Sequence, residues 1–379
     1  MNIVFLGTTV NYGHKFVAAN KKTELLARGL KACGNTVTIH NGLLSVGDIE
    51  ADEYYDIPEV GTIINYAPSG KRLLEPIMNY KRLRRDLKNL RNRNNNFLIL
   101  LSPYNPIYEE YLAIGKFLGY KIITISHEWV PTFSHRNFAE KILRKIYSLS
   151  FGYGVDAILP ISSYIEKRVA HFKKPMFMTP ILGEFGEKYE NNEKSSGFVY
   201  CGTTAYERAF MILIDAYQIY CNRVDHALPL TLVLSGKDDS IDRVKKSISK
   251  RHLNGIHVIT GLPYNELYAL YESASGLLLP LDPDNEQDKA RFSQKIAEYI
   301  STGSLLITNP VGEINTYFTN EVNAILNSFS PEGFANSMEW VTVHPSKARE
   351  IAEAGWKLGK CEFDYRTFGV KLNNFLKSI

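Results

Sequence analysis

Short apolar runs ending in glycine, proline or serine alternate along this chain with longer stretches whose apolar residues recur at helical spacing. That alternation constrains the fold more than any other feature. Residues 3–6 form the first run, a helical pattern over 16–31 ends at Gly34, and 36–40 form the next run. A parallel strand needs a crossover to reach its neighbour, so strand, loop, helix, strand is the opening of a doubly wound α/β domain. The run at 97–101 is continuously apolar, as expected of a strand covered on both faces. Further strands are expected at 61–66, 121–126 and 157–160, with a helix over 107–118 ending at Gly119. Residues 41–60 show no clear element, and Ser162 is placed to cap a helix over 163–172.

The pattern stops at EFGEKYENNEKSS, residues 184–196, which is polar, charged and aperiodic. It then starts again. Strands are expected at 197–201, 230–235, 256–260 and 276–279, with helices over 207–220 and 241–251 between them. Residues 290–309 read as a short helix ending at Gly303 and an apolar strand, and 324–326 as a last strand; beyond Pro331 the chain is mainly helical. A length of 379 residues suits two domains. The expected division is 1–183, a linker at 184–196, 197–360, and a C-terminal helix over 361–379 that packs back on the first domain.

Composition narrows the function classes. A net charge of +4 is too small for a dedicated nucleic-acid binder. Cys33, Cys201, Cys221 and Cys361 are scattered without metal spacing, as in a reduced cytosolic protein. The opening MNIVFLGTTV has no basic leader, so no signal peptide is expected, and no apolar run approaches a membrane span. Two basic amphipathic stretches stand out. Between Lys71 and Asn96 there are nine Lys or Arg against two acids, with Leu83, Leu87 and Leu90 at helical spacing. Over 140–149, Lys141, Arg144 and Lys145 lie beside Ile142, Leu143 and Ile146. Each is a solvated outer face or a surface for anionic lipid, with nucleic acid as a third and weaker option for the first stretch.

Candidate site residues sit where apolar runs end, because open α/β sheets bind ligands beyond the carboxyl ends of their strands. The first loop, GTTVNYG, spaces Gly7 and Gly13 too widely for a dinucleotide fingerprint. Gly13 either makes a turn or lets backbone approach a phosphate. His127 directly follows the strand at 121–126. In the second half, Gly202-Thr203-Thr204 followed by Arg208 is a loop and cation suited to a pyrophosphate, with Lys295 as a second cation. Glu298, three residues after Lys295, can accept the paired hydroxyls of a ribose. Asp282-Pro283-Asp284 is formally a DxD motif and is read as a polar loop.

Several segments together resemble the large retaining GT-B glycosyltransferase family of the group-1, family-4-like type. YCGTTAYERAFMILIDAY resembles the strand, loop and helix that open its C-terminal domain, and LPLTLVLSGKDD its next strand and glycine turn. IHVITGLPYNELYALYESASGLLLPL is similar to its strand, glycine loop, helix and strand ending in proline. FSQKIAEYISTGSLLITN resembles a K-x-x-E-Y version of the donor-site helix, and ITISHEW the strand ending in a histidine near the transferred sugar. The resemblance covers nearly the whole chain.

It implies an α/β GT-B fold of two Rossmann-like, doubly wound domains facing across a cleft. It also implies sugar transfer from a UDP- or GDP-linked donor to an acceptor hydroxyl with retention, by a hexosyltransferase without resident cofactor or metal. By this resemblance Glu298 holds the donor ribose, Arg208 and Lys295 contact the phosphates, and Gly202, Thr203 and Thr204 approach the diphosphate. Gly236 and Ser293 fall on the donor side, Leu262 lies against the base, His127 lies near the sugar, and Gly13 faces the donor from the first domain. Two departures from the pattern stand out. Ala290 stands where many members carry a further glutamate, and Thr203 and Thr204 where many have arginine. The expected setting is surface polysaccharide or glycan assembly, in the cytoplasm or at the inner face of the membrane. The acceptor is a glycan or lipid-linked, and residues 71–93 and 140–149 meet anionic lipid; no nucleic-acid partner is expected. The alternatives are a non-catalytic relative that binds a nucleotide or a membrane, and a GT-B-type sugar epimerase.

Overall fold

A computed structural model of the chain describes all residues except 8–17, 47–48, 70–74, 93–94, 102–106, 130–137, 191–193 and 195. Gly13 lies outside the described residues. The chain forms two compact units. One comprises Met1–Leu182, Ala290–Gln294 and Asp364–Ile379, the other Gly183–Lys289 and Lys295–Phe363.

The N-terminal unit begins β1 (Asn2–Leu6), α1 (Ala18–Ala32), β2 (Thr36–Ser45), β3 (Glu53–Ile57), β4 (Gly61–Tyr66) and α2 (Glu75–Leu90). It continues β5 (Asn96–Leu100), α3 (Ile107–Phe117), β6 (Lys121–Ser126), α4 (Phe138–Ser150), β7 (Ala157–Pro160) and α5 (Ser163–Val169). Its seven strands are ordered β3-β4-β2-β1-β5-β6-β7, all parallel except β3. β1 and β5 are buried throughout: past Asn2 and Asn96, which hydrogen-bond each other at 3.1 Å, both are unbroken apolar runs.

Residues 41–60 do hold structure, contrary to the sequence reading. β2 runs on to Ser45, and β3 pairs antiparallel with β4, from Glu53 opposite Asn65 to Ile57 opposite Gly61. Edge strand β3 is only half-covered, so EYYDI mixes polar and aromatic residues where a buried strand would be apolar. Ser162 caps α5 as expected, its hydroxyl accepting from the Ile165 N–H at 3.2 Å.

The second run of elements is β8 (Phe198–Thr203), α6 (Glu207–Cys221), β9 (Leu230–Ser235), α7 (Asp238–Lys250), β10 (Ile256–Ile259) and α8 (Tyr264–Ser273). It continues β11 (Gly276–Leu279), α9 (Glu286–Ala290), α10 (Gln294–Ser301), β12 (Leu306–Thr308), α11 (Ile314–Tyr317) and β13 (Ile325–Leu326), then α12 (Pro331–Val343) and α13 (Pro345–Glu362). The six parallel strands are ordered β10-β9-β8-β11-β12-β13. Counted within this sheet the order is 3-2-1-4-5-6, that of a dinucleotide-binding domain. Phe198, Leu232, Leu278 and Ile307 from its strands pack with Phe210 and Leu213 of α6 and Phe334 and Met338 of α12.

The last helix, α14 (Tyr365–Ser378), belongs to the N-terminal unit. Asp364 caps it by accepting from the Arg366 N–H, and Phe368, Leu372 and Leu376 join the core formed by Leu25, Leu26 and Leu30 of α1. The helices touch at Gly29 and Gly369, where a Cβ on Gly29 would sit 2.4 Å from the Tyr365 carbonyl oxygen. Among the described residues no helix is long and apolar enough to cross a membrane.

Candidate functional site

The C-terminal sheet changes winding direction between β8 and β11, since β9 and β10 lie to one side of β8 and β11 to the other. Loops leaving adjacent strands at such a switch point diverge and open a crevice at the carboxyl edge. Gly202 and Thr203, expected in a loop, are the last paired residues of β8, Thr204 follows them there, and Leu281 to Asp288 leave β11.

Local packing shapes both loops. A Cβ at Gly202 would lie 2.3 Å from the Tyr200 hydroxyl, so the strand end closes only around a glycine. Thr204 donates its N–H to the Ser235 carbonyl at 2.8 Å, and a Cβ at Gly236 would sit 2.0 Å from the Thr204 hydroxyl. Gly202, Thr204 and Gly236 are thus brought together where β8 and β9 end. On the other side Asn309, just past β12, clamps the loop base. It accepts from the Leu281 N–H at 2.7 Å and donates to the Leu281 carbonyl at 2.6 Å. Asp288 accepts from the Asp282 N–H at 2.9 Å.

Arg208, in the first turn of α6, bridges the two loops. Its Nη1 donates to both Asp282 oxygens at 2.8 and 2.7 Å and to Asp284 at 3.1 Å, and its guanidinium lies 5.2 Å from the Phe329 ring centre. Hydrogen bonds to Asp284 and Asp282 raise its pKa further. Asp282-Pro283-Asp284 therefore does more than form a polar loop: it is the counter-charge of the proposed phosphate cation. The DxD spacing drew attention to these acids, but sequence could not pair them with an arginine 74 residues away.

Glu298 and Lys295 lie on α10, Glu298 buried and Lys295 half-buried. The helix is anchored at Tyr299, which is fully buried and whose hydroxyl accepts from the Cys201 N–H at 3.3 Å. Tyr271 meets the Tyr299 ring edge-on at 4.9 Å. Ser301, one turn after Glu298, hydrogen-bonds the Tyr268 hydroxyl of α8. Burial, with the Glu298 charge adding to it, pushes Tyr268 up to about 12. Leu262, half-buried, immediately precedes α8. The loop carrying Leu262 and the helix carrying Glu298 are thereby tied together.

Ser293 and Ala290 belong to the N-terminal unit. Ala290 is fully buried, and its carbonyl accepts from the Ser162 hydroxyl; Gln294 pairs with both backbone groups of Leu182. A glutamate at 290 would place a carboxylate where the structure is closed.

In the N-terminal unit His127 follows β6, half-buried. Burial, then the positive charge of Lys22, holds its pKa well below the ordinary histidine range. Lys22, on α1, was not singled out in the sequence. It is 3% exposed, donates to the Thr179 carbonyl at 2.9 Å, and is pushed down by burial to about 7. Its position three and four residues ahead of Leu25 and Leu26 puts it on the buried face of α1, which is a readable signal. β2, β4 and α2 hold a second buried network. Gly42 N–H donates to His40 Nδ1, so Nε2 carries the proton toward the Tyr66 hydroxyl at 3.0 Å, and Tyr66 donates to Asp86 at 2.8 Å. Burial lowers His40 to about 4, leaving it neutral.

Residues 226–371 match the model of a family described as glycosyl transferase-like. No curated protein matches the chain in sequence. In fold it is similar to sucrose-phosphate synthase from Thermosynechococcus elongatus, with TM-score 0.74 and 12% identity over 99% of this chain and 98% of that one. Anabaena HepE in complex with UDP gives 0.71 and 12%, covering 100% of both chains. A glycosyltransferase from Rickettsia africae gives 0.71 and 16% over 99% and 97%. The chain therefore has the two-domain, Rossmann-like GT-B fold, and its C-terminal part is similar to the glycosyl transferase-like family.

Proposed function

We propose that this protein transfers a sugar from a nucleotide-diphosphate donor to an acceptor hydroxyl with retention. The observation that carries the reading is the convergence at one switch point of the Gly202–Thr204 segment, Arg208 and the loop after β11, with Glu298 on the helix feeding β12. The family match over 226–371 supports it, as does similarity to HepE, which has been solved with UDP-glucose.

In the proposed step Glu298 accepts from the ribose hydroxyls, and the diphosphate lies at the end of β8, beside Thr203 and Thr204. Arg208 and Lys295 offset the charge that develops as the sugar–phosphate bond breaks. The departing phosphate takes the acceptor proton on the same face. His127 is neutral, so it orients the sugar by hydrogen bonding. Arg208 exchanges its Asp282 and Asp284 partners for phosphate oxygens when donor arrives. A hexose donor and a glycan or lipid-linked acceptor complete the reading.

A panel of UDP-, GDP- and ADP-linked hexoses is the test, with nucleotide release followed over the acceptor fractions of a cell extract. The reading expects one donor to turn over and its nucleoside diphosphate to raise the melting temperature. Stabilisation without turnover would leave a non-catalytic nucleotide binder, the reading to which Ala290 and the Arg208–Asp pairing otherwise point. Neither response from any donor would overturn both.

A further inference from the structure

Helices α2 and α4 are both basic and amphipathic, yet they face opposite ways. α2 is ordinary: Leu83 and Leu87 are fully buried, while Lys81, Arg84, Arg85 and Lys88 face water. α4 is inverted. Phe138, Ile142, Leu143, Ile146 and Leu149 are 76%, 44%, 45%, 56% and 56% exposed. Positions 138, 142, 146 and 149 fall on one stripe at helical spacing, and Leu143 widens it. The side resting on the protein is polar. Ser148 is the buried residue of α4, and Glu140, Arg144 and Tyr147 are half-buried, with Arg144 paired to Glu140.

Lys141 and Lys145 edge the apolar stripe, exposed and paired with no acid among the described residues. Glu140, the helix's acid, is occupied by Arg144 on the inner side. An aromatic residue stands at each end, Phe138 at the start and Tyr153, 62% exposed, just beyond the last turn. An apolar stripe with a lysine edge and aromatic ends matches a helix lying in the plane of a bilayer surface. At 13 residues it is roughly 20 Å long, enough for such an in-plane contact and too short to span. A second copy fits less well, because antiparallel two-fold pairing of α4 would bring its lysine edges together, and α4 carries no exposed acid to meet them. Anionic headgroups supply that counter-charge.

We propose that α4 is an in-plane anchor that seats the N-terminal unit on an anionic bilayer. The observation is the outward apolar stripe and its lysine edge, and it stands independently of the sugar-transfer reading.

The test is sedimentation of the full chain with phosphatidylcholine vesicles containing 30 mol% phosphatidylglycerol (about a third, as an anionic surface). Pure phosphatidylcholine vesicles are run beside them at low salt. The wild type should sediment with the anionic vesicles and stay largely in solution with the neutral ones. Ile142→Ser with Ile146→Ser, at exposed positions, should lower the partition coefficient at least about tenfold. Lys141→Glu with Lys145→Glu should abolish the preference for anionic vesicles. Replacing Lys81, Arg84 and Lys88 by Gln in α2 should leave binding largely in place. Wild type remaining in solution with anionic vesicles would overturn the proposal, as would binding lost through α2 but not α4. A dimer in light scattering that Ile142→Ser and Ile146→Ser dissociate, without vesicle binding, would give the face to a second copy instead.

Discussion

At the carboxyl edge of the C-terminal sheet Arg208 stands in water, its charge shared between Asp282 and Asp284. At the corresponding edge of the N-terminal sheet Lys22 is sealed from water on a carbonyl oxygen, beside a histidine that burial keeps neutral. Both edges are the carboxyl ends of parallel strands, yet they treat charge differently. A hydrated cation keeps its charge and can exchange one anionic partner for another at small cost. A buried lysine near neutrality gives up its proton more readily than it holds an ion. The first arrangement suits a diphosphate, and the second suits an uncharged, hydroxyl-bearing group.

The comparison can be broken by substitution. Arg208→Ala should remove a cation that acts on the leaving diphosphate, lowering kcat/KM for the donor roughly 100-fold. Turnover within a factor of three of wild type would separate Arg208 from the chemistry.

Lys22 offers the next largest effect, through pH. Its folded pKa is about 7 against 10.5 in the unfolded chain, so between those values the unfolded state binds more protons and stability rises with pH. Below pH 7 the folded protein carries the buried charge at full cost. Lys22→Met should therefore gain more stability over wild type at pH 6 than at pH 9, by ~2 kcal/mol in urea unfolding. A gain independent of pH would show that Lys22 is no more strained charged than neutral.

Asp282→Asn should have the smallest effect. Freeing part of Arg208 should tighten nucleoside diphosphate binding by a few-fold, the scale of an exposed ion pair. Weaker binding would mean that Asp282 holds Arg208 in its working position instead of competing for it.

The residues that were legible in the sequence share a physical property: the chain neighbours alone determine their role. Continuous apolar runs announced β1, β5, β8 and β11, and Ser162 announced the start of α5. Edge strand β3 was not legible, because a strand half in water needs no apolar run. The amphipathic period of α4 was visible, but periodicity names two faces without saying which one the protein covers. Nor was the place of residues 290–294 in the N-terminal unit, which rests on Ser162 and Leu182, far away in sequence. At the candidate site Arg208, Gly202 and Glu298 could be proposed from local pattern. The pairing of Arg208 with Asp282 and the burial of Lys22 arise only when distant segments meet.

The most direct test of the central claim is calorimetric binding of the stabilising nucleoside diphosphate and its 2′,3′-dideoxy analogue to wild type and to Glu298→Gln. If Glu298 carries the ribose, losing the hydroxyls should weaken wild-type binding roughly 30-fold, the scale of charged hydrogen bonds. The same comparison in Glu298→Gln should shrink to about threefold or less. An undiminished loss in the variant, or no loss in wild type, would contradict the placement of the nucleotide on this edge.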